Sequence, residues 1–198
     1  MYVTVYELNA RDKRTCLSVA NRNEMHRDVE SLCACDGCSG KYVYRVAERK
    51  GKLLLYIYSE IPTHKENAHF GMKFLGEGEI DARKNGDAIR IDVLATPIQT
   101  ITDYNGKKKK RPIFDATKRL EWCKRKALAN GFRIDNIAEA KKEVFHIDKH
   151  NGKSEWRVDA YEYKLEATIV DEDKFRECMM NGFGRNRAYG AGMMFIAG

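Results

Sequence analysis

The sequence predicts an α+β fold of two tandem βαββαβ units of the ferredoxin-like kind, and three observations carry that prediction. Runs with period-two apolar alternation recur along the chain, as in Ile89, Ile91, Val93 and Ala95. Between them lie helical segments opened by Asn21, Asp115 and Asp171, residue types whose side chains accept the free N–H groups of a helix start. The order strand, helix, strand, strand, helix, strand then fits twice into 198 residues, over 1–86 and over 87–198, each long enough to hold its own core.

In the first unit, Tyr2–Leu8 forms the opening strand. Asn21 with Glu24 three residues later is a capping-box pattern, and Met25, Val29, Leu32 and Cys33 then repeat on one helical face until Gly37 and Gly40. Residues 41–48 and 53–58 are two strands joined at Lys50-Gly51. Region 62–85 has no dominant period, and glycines 71, 76, 78 and 86 interrupt any long element, so the second helix here rests on element order alone. In the second unit, Pro97 ends the first strand and a basic loop follows. Asp115 opens a helix with Ala116, Leu120, Cys123 and Ala127 inward, and Gly131 closes it. Strands 133–148 and 155–169 meet at Asn151-Gly152, the strongest short hairpin signal. In the second of these the apolar parity switches between Val158 and Tyr161, which predicts a bulge near Ala160. Asp171 opens a short helix with Phe175, Cys178 and Met179 inward, and a glycine-rich turn leads to a last strand over 191–197.

Composition narrows the function classes. Apolar residues make up 43% of the chain, which supports a folded core over disorder. The sequence has no apolar run of membrane-span length, and its first residues read as a strand with no export signal, so the expected home is the cytoplasm. Six cysteines in that setting are expected to be reduced. The formal charge of +7 is concentrated: segment 107–126 carries ten basic residues against Asp115 and Glu121, a net +8, so the rest sums to −1. Charge gathered this way suits a polyanion, because each phosphate neutralised releases counterions. A solvated lysine loop followed by a charged helix face explains the run equally well, and an anionic membrane less well, since no amphipathic anchor accompanies it.

The most specific stretch is Gly182-Phe183-Gly184-Arg185-Asn186-Arg187-Ala188-Tyr189-Gly190-Ala191-Gly192. Glycines permit close backbone approach to a phosphate, and Arg185 and Arg187 add charge. Its position between a helix and a strand is the reverse of a dinucleotide-binding loop. The bland alternative is a tight turn before a glycine-weakened strand. This stretch, continuing into Met193-Met194-Phe195-Ile196, resembles the C-terminal signature of CRISPR-associated repeat endoribonucleases of the CasE kind, in the RAMP superfamily. Leu94-Ala95-Thr96-Pro97-Ile98, the basic run and Arg119-Leu120-Glu121-Trp122-Cys123-Lys124-Arg125-Lys126 resemble that family's central block. Asn21 followed by Glu24-Met25-His26-Arg27 resembles the stretch with its catalytic histidine. The match is collinear and weakest over 33–87.

The resemblance implies two tandem ferredoxin-like domains and a metal-independent, cofactor-free endoribonuclease that cuts CRISPR precursor RNA at the base of the repeat hairpin. The products would be a 2′,3′-cyclic phosphate and a 5′-hydroxyl, and the mature RNA would stay bound within an interference complex of further subunits. By position, His26 is the implied catalytic residue. Lys107, Lys108, Lys109, Lys110, Arg111, Lys118 and Arg119 are implied to engage the RNA stem, and Gly182, Gly184, Arg185, Arg187, Gly190 and Gly192 its backbone. The chemistry asks for little else: RNA supplies the 2′-hydroxyl, and an imidazole with a reference pKa of about 6.5 can act as base on it or as acid on the 5′-oxygen.

Where relatives often carry a tyrosine and a lysine around that histidine, this chain has Asn23 and Ser31, so Arg27 or Arg22 is expected to supply a cation and Tyr42 or Tyr44 a hydroxyl. Cys33, Cys35 and Cys38 have spacing that could hold a structural zinc with Cys16 or a histidine, but no second Cys-x-x-Cys knuckle completes the set, which favours reduced thiols. Two other functions stay open: a non-catalytic RNA-binding subunit of a CRISPR complex, and a single-strand RNA binder, for which no Arg-Gly-Phe sheet motif is present.

Overall fold

A computed structural model describes residues 1–35, 38–149 and 155–197, with the backbone alone at 35, 38, 39 and 197. The first half contains β1 (Tyr2–Leu8), α1 (Lys13–Ala20), α2 (Arg22–Cys33), the two-residue strands β2 (Ala34–Cys35) and β3 (Cys38–Ser39), then β4 (Tyr42–Arg49), β5 (Lys52–Ser59) and β6 (Met72–Glu79). The second contains β7 (Ala88–Ala95), β8 (Ile98–Thr102), β9 (Lys108–Pro112), α3 (Ala116–Ala129), β10 (Phe132–Asp148), β11 (Glu155–Ile169), α4 (Glu172–Asn181) and β12 (Met194–Ala197). The four long strands of each half form one antiparallel sheet, in the orders β4-β5-β1-β6 and β10-β11-β7-β12. In both, the second and third strands of the unit form a hairpin and the first strand lies between the third and fourth. That is the ferredoxin-like arrangement, repeated in tandem.

Local chemistry explains most boundaries. Asn21, Asp115 and Asp171 each accept a backbone N–H in the first turn of α2, α3 and α4. Lys50 and Gly51, at φ 52° and 73°, make the two-residue turn that matches strand twist between β4 and β5. Gly131, at φ 85°, ends α3 with its N–H on the Leu128 carbonyl.

Several expectations need correction. The first half has no second α-helix: a single 3-10 turn, Lys65–Asn67, stands there, and β6 runs through Gly76 and Gly78. The additional helix α1 is opened by Asp12, whose carboxylate accepts the Thr15 N–H. The basic segment is not a loop, because β8 and β9 pair with each other as a two-stranded arm whose β9 residues are all exposed. On α3 the inward face is Arg119, Trp122, Cys123 and Ala127, with Ala116 exposed and Leu120 partly buried, since Trp122 turns in to meet Phe183 at 5.6 Å. The bulge near Ala160 falls on the partner strand instead, where register shifts between Ile134 and Asn136 and between Glu139 and Lys141. The parity switch on β11 has another cause: Ala160 and Tyr161 are both buried, on opposite faces in two different clusters. The Asn151-Gly152 turn lies outside the described residues. The last strand begins at Met194 rather than 191.

One apolar cluster, with Tyr6, Met25, Val29, Leu32, Tyr44, Leu55 and Ile57, fixes α2 on the first sheet. The larger cluster belongs mainly to the second half but takes in Val43 and Tyr58, so opposite parities of the first sheet face α2 and the second half. Two polar contacts reinforce that junction. Buried Arg45 of β4 pairs with Asp92 at 2.8 Å and Glu162 at 3.2 Å and stacks on Phe195. Asn21, at the start of α2, exchanges two hydrogen bonds with the backbone of Asp148, at 2.8 and 3.0 Å.

Candidate active site and nucleic-acid interface

His26 lies on the exposed side of α2, one residue on from the inward-facing Met25, and is half-buried. It stands in an open cleft of about 380 Å³ lined by Glu30, Lys41 and Tyr42 of the first half and by Met180, Asn181, Arg187 and Ala188 of the second. Tyr42 Oη lies 3.0 Å from His26 Nδ1, and the Tyr189 ring meets the imidazole edge-on at 6.2 Å. No partner holds Nε2 among the described residues. Burial holds the imidazole below its ordinary range; Glu30 opposes that, while Lys149 and Arg27 add to it. Burial also pushes the Tyr42 phenol up, so it stays protonated near neutrality.

The glycine stretch closes one wall of this cleft. Phe183 N–H bonds Gly192 O, Gly192 N–H bonds Leu94 O, and the buried Phe183 ring packs between Trp122 and Phe132. Buried Thr96, just before the basic arm, donates to Arg185 O and accepts from Asn186 Nδ2. The loop thus reaches from the root of the arm to the histidine. Its glycines face the protein. A Cβ on Gly192, at φ 87°, would lie 2.9 Å from Phe183 O, and one on Gly190, at φ 85°, 3.1 Å from the Tyr44 ring. Gly184 abuts Trp122 and Gly182 abuts Arg187 and Val43. Gly190 and Gly192 are buried, which corrects the expectation that these two touch a phosphate: they give the loop its shape.

The cationic residues divide in the same way. Lys107, Lys108, Lys110, Arg111, Lys118 and Arg185 are exposed and make no described ion pair, while Lys109 pairs with Asp103 at 2.9 Å. Tyr104, at the tip of the arm, is 96% exposed. Arg119 does not belong with them. It is buried, holds Glu139 with two hydrogen bonds, donates to Phe114 O and stacks on Tyr161. Neither arginine expected beside the histidine faces it openly: Arg22 lies over the Phe145 ring with a buried, unpartnered Nη1, and Arg27 pairs with Glu24 at 3.4 Å. Arg187 does line the cleft and donates to Asn181 O. Tyr44 is buried and bonds Ala188 O, so of the two expected hydroxyls only Tyr42 is at the histidine. Asn23 is buried, and Ser31 bonds the Asp28 carbonyl of its own helix.

Cys33 is part of the first core, and burial pushes its thiol up to about 12. The side chains of Cys35 and Cys38 lie outside the described residues. Cys16, Cys33, Cys123 and Cys178 are free thiols. Among the described residues no helix is long and apolar enough to cross a membrane.

Residues at the cleft beyond the expected set are Glu30, Lys41 and Tyr189. Only Glu30, one helical turn from His26, left a readable spacing.

A tandem ferredoxin-like protein with a histidine in the cleft between its halves and a cationic two-stranded arm is the class these features define. The chain belongs to the family described as CRISPR associated protein, whose model matches residues 1–198. Its fold is shared with CRISPR endoribonuclease Cse3 bound to a 19-nucleotide RNA (TM-score 0.89, 18% identity, covering 100% of both chains). It is shared also with Thermus thermophilus Cse3 bound to an RNA representing a pre-cleavage complex (TM-score 0.86, 17% identity, 100% of both chains). Cas6e from Escherichia coli str. K-12 is a further match (TM-score 0.74, 16% identity, 100% of this chain and 99% of that one). No curated protein sequence matches significantly.

Proposed function

We propose that this chain binds CRISPR repeat RNA and cuts it at the base of the repeat hairpin without a metal, His26 moving the proton. The observation that carries this reading is the position of His26, half-buried against Tyr42 in a cleft closed by the glycine loop. A neutral imidazole is what a base needs near pH 7, and burial favours that form. In this reading the Tyr42 oxygen accepts Nδ1–H, which leaves a lone pair on Nε2. Nε2 takes the 2′-hydroxyl proton, the 2′-oxygen attacks phosphorus, and the bond to the 5′-oxygen breaks. The leaving oxygen takes a proton from solvent, giving a 2′,3′-cyclic phosphate and a 5′-hydroxyl. The β8–β9 arm and the exposed face of α3 engage the phosphates of the stem, with Lys107, Lys108, Lys110, Arg111 and Lys118 as the free cations. We place the division of the chain at 86/87 and its action in the cytoplasm. The mature RNA would be retained with other subunits, a role supported by the fold shared with a chain of a CRISPR RNA-guided surveillance complex (TM-score 0.77, 19% identity).

The test uses the purified protein in EDTA with a synthetic hairpin of the host's own repeat. Cleavage is expected once per hairpin, and His26→Ala is expected to bind the RNA and leave it whole. Undiminished cutting by that variant would reject the assignment. Asn23 and Ser31 give some weight to a second reading, an RNA-binding subunit without nuclease activity. Replacing the 2′-hydroxyl at the junction by hydrogen abolishes a reaction under the first reading and changes nothing under the second.

A further inference from the structure

Attack by the 2′-oxygen puts extra negative charge on the phosphate oxygens, and a fixed cation there lowers the barrier. The charged and titratable groups around the ring come from four places: Glu30 and Arg27 on α2, Lys41 and Tyr42 at the entry to β4, Arg187 and Tyr189 in the glycine loop, and Lys149 after β10. Arg27 is engaged by Glu24, Arg187 by the Asn181 carbonyl, and no described partner holds the Lys41 side chain. Lys149 is exposed and has a neighbour on either side. Its backbone follows Asp148, which the two Asn21 hydrogen bonds fasten to the start of α2. Its ammonium lies 5.8 Å from the centre of the Trp156 ring. Trp156 meets Tyr189 edge-on at 5.9 Å, and Tyr189 meets His26 at 6.2 Å, so an aromatic row runs from this cation to the imidazole.

We propose that Lys149 is a catalytic residue contributed by the second half, its ammonium stabilising the phosphate attacked beside His26. This rests on the endoribonuclease reading. It makes the site composite: the imidazole comes from one half, the cation from the other, and the Asn21–Asp148 clasp joins them. The part of Lys149 is fixed charge, and no proton passes through it. The charge already acts on the ring. After burial, and against Glu30, Lys149 is the larger of the two cations that disfavour imidazolium.

The experiment measures single-turnover cleavage of the synthetic repeat hairpin by the full chain, and affinity separately on the 2′-deoxy hairpin that cannot react. Lys149→Ala is expected to slow cleavage on the order of 10²-fold, with affinity changed less than about tenfold, as for one phosphate neutralised. Lys149→Arg is expected to recover much of the rate. In the free protein, the His26 imidazole followed by NMR should titrate at higher pH in Lys149→Ala than in wild type and close to the wild-type pH in Lys149→Arg, which keeps the charge, whereas a loss of burial would raise it in both. Wild-type cleavage by Lys149→Ala beside an inactive His26→Ala overturns this inference and leaves the nuclease reading standing. A wild-type chain that binds the hairpin and never cuts it removes both.

Discussion

At the scale of single residues, the site depends on how an ordinary histidine is held. Burial lowers the proton affinity of His26, so the neutral base survives to lower pH than a free imidazole allows. The rate of hairpin cleavage should therefore rise with pH through a midpoint below about 6.5 and level off above it; a midpoint above that value would argue against His26 as the base. Tyr42→Phe removes the hydrogen bond that, among the described residues, orients the ring. The expected loss is on the order of tenfold in cleavage rate, the kinetic equivalent of one hydrogen bond, with RNA affinity unchanged. The histidine and the phenol could both be named from the sequence, because one lies in a capped helix with a recognisable surrounding pattern and the other starts a strand. Arg22, Arg27 and Arg119 have partners that the sequence did not reveal, for a common reason. An arginine reads the same in a sequence whether it faces a phosphate, stacks on Phe145, or is held by Glu24 or Glu139.

At the scale of elements, the glycine loop and the basic arm do different work. The loop is shaped by backbone conformations that only glycine adopts cheaply, and its interior face is packed. Gly192→Ala sets a Cβ against Phe183 at a positive φ and should cost about 1–3 kcal/mol, read as a lower midpoint in chemical denaturation. Gly51, in an exposed turn with open space around it, should be less sensitive to the same change. The arm carries charge on a ribbon that packs against little else, so replacing Lys107, Lys108 and Lys110 by Gln should leave stability nearly unchanged. RNA affinity should fall uniformly across sequences, and the slope of log affinity against log salt should drop by about one for each phosphate left without its lysine. The run of lysines was plain in the sequence, but its strand was not. Alternation of apolar and polar residues is the signal that marks a strand, and Lys108–Pro112 has no apolar face to alternate. The same reasoning explains β6, whose exposed Phe74 and Leu75 and whose glycines obscure the period.

At the scale of the whole molecule, the cleft exists because two similar units are locked together. Arg45 carries much of that lock, reaching from β4 to Asp92 and Glu162 on the other sheet. Burial alone would push the Asp92 carboxyl up; Arg45, with Arg49, holds it below its ordinary range instead. Its contribution to stability is therefore present above the unfolded carboxylate range and is lost as pH falls through about 4 and below. Arg45→Met strands two partly buried acids and should cost about 3 kcal/mol, with the acid dependence of stability reduced, as denaturation at pH 7 and pH 4 would show. Written into the chain alone are the tandem order of the two main sheets' strands, three of the helix caps, the charge block and the pattern around His26, because each depends on residues near one another in sequence. The neighbours of His26 include Tyr42, Arg187 and Tyr189, which approach only after both sheets have formed and docked. Short-range periodicity reports which way a side chain points from its own element; which distant side chain it then meets is set by packing between elements.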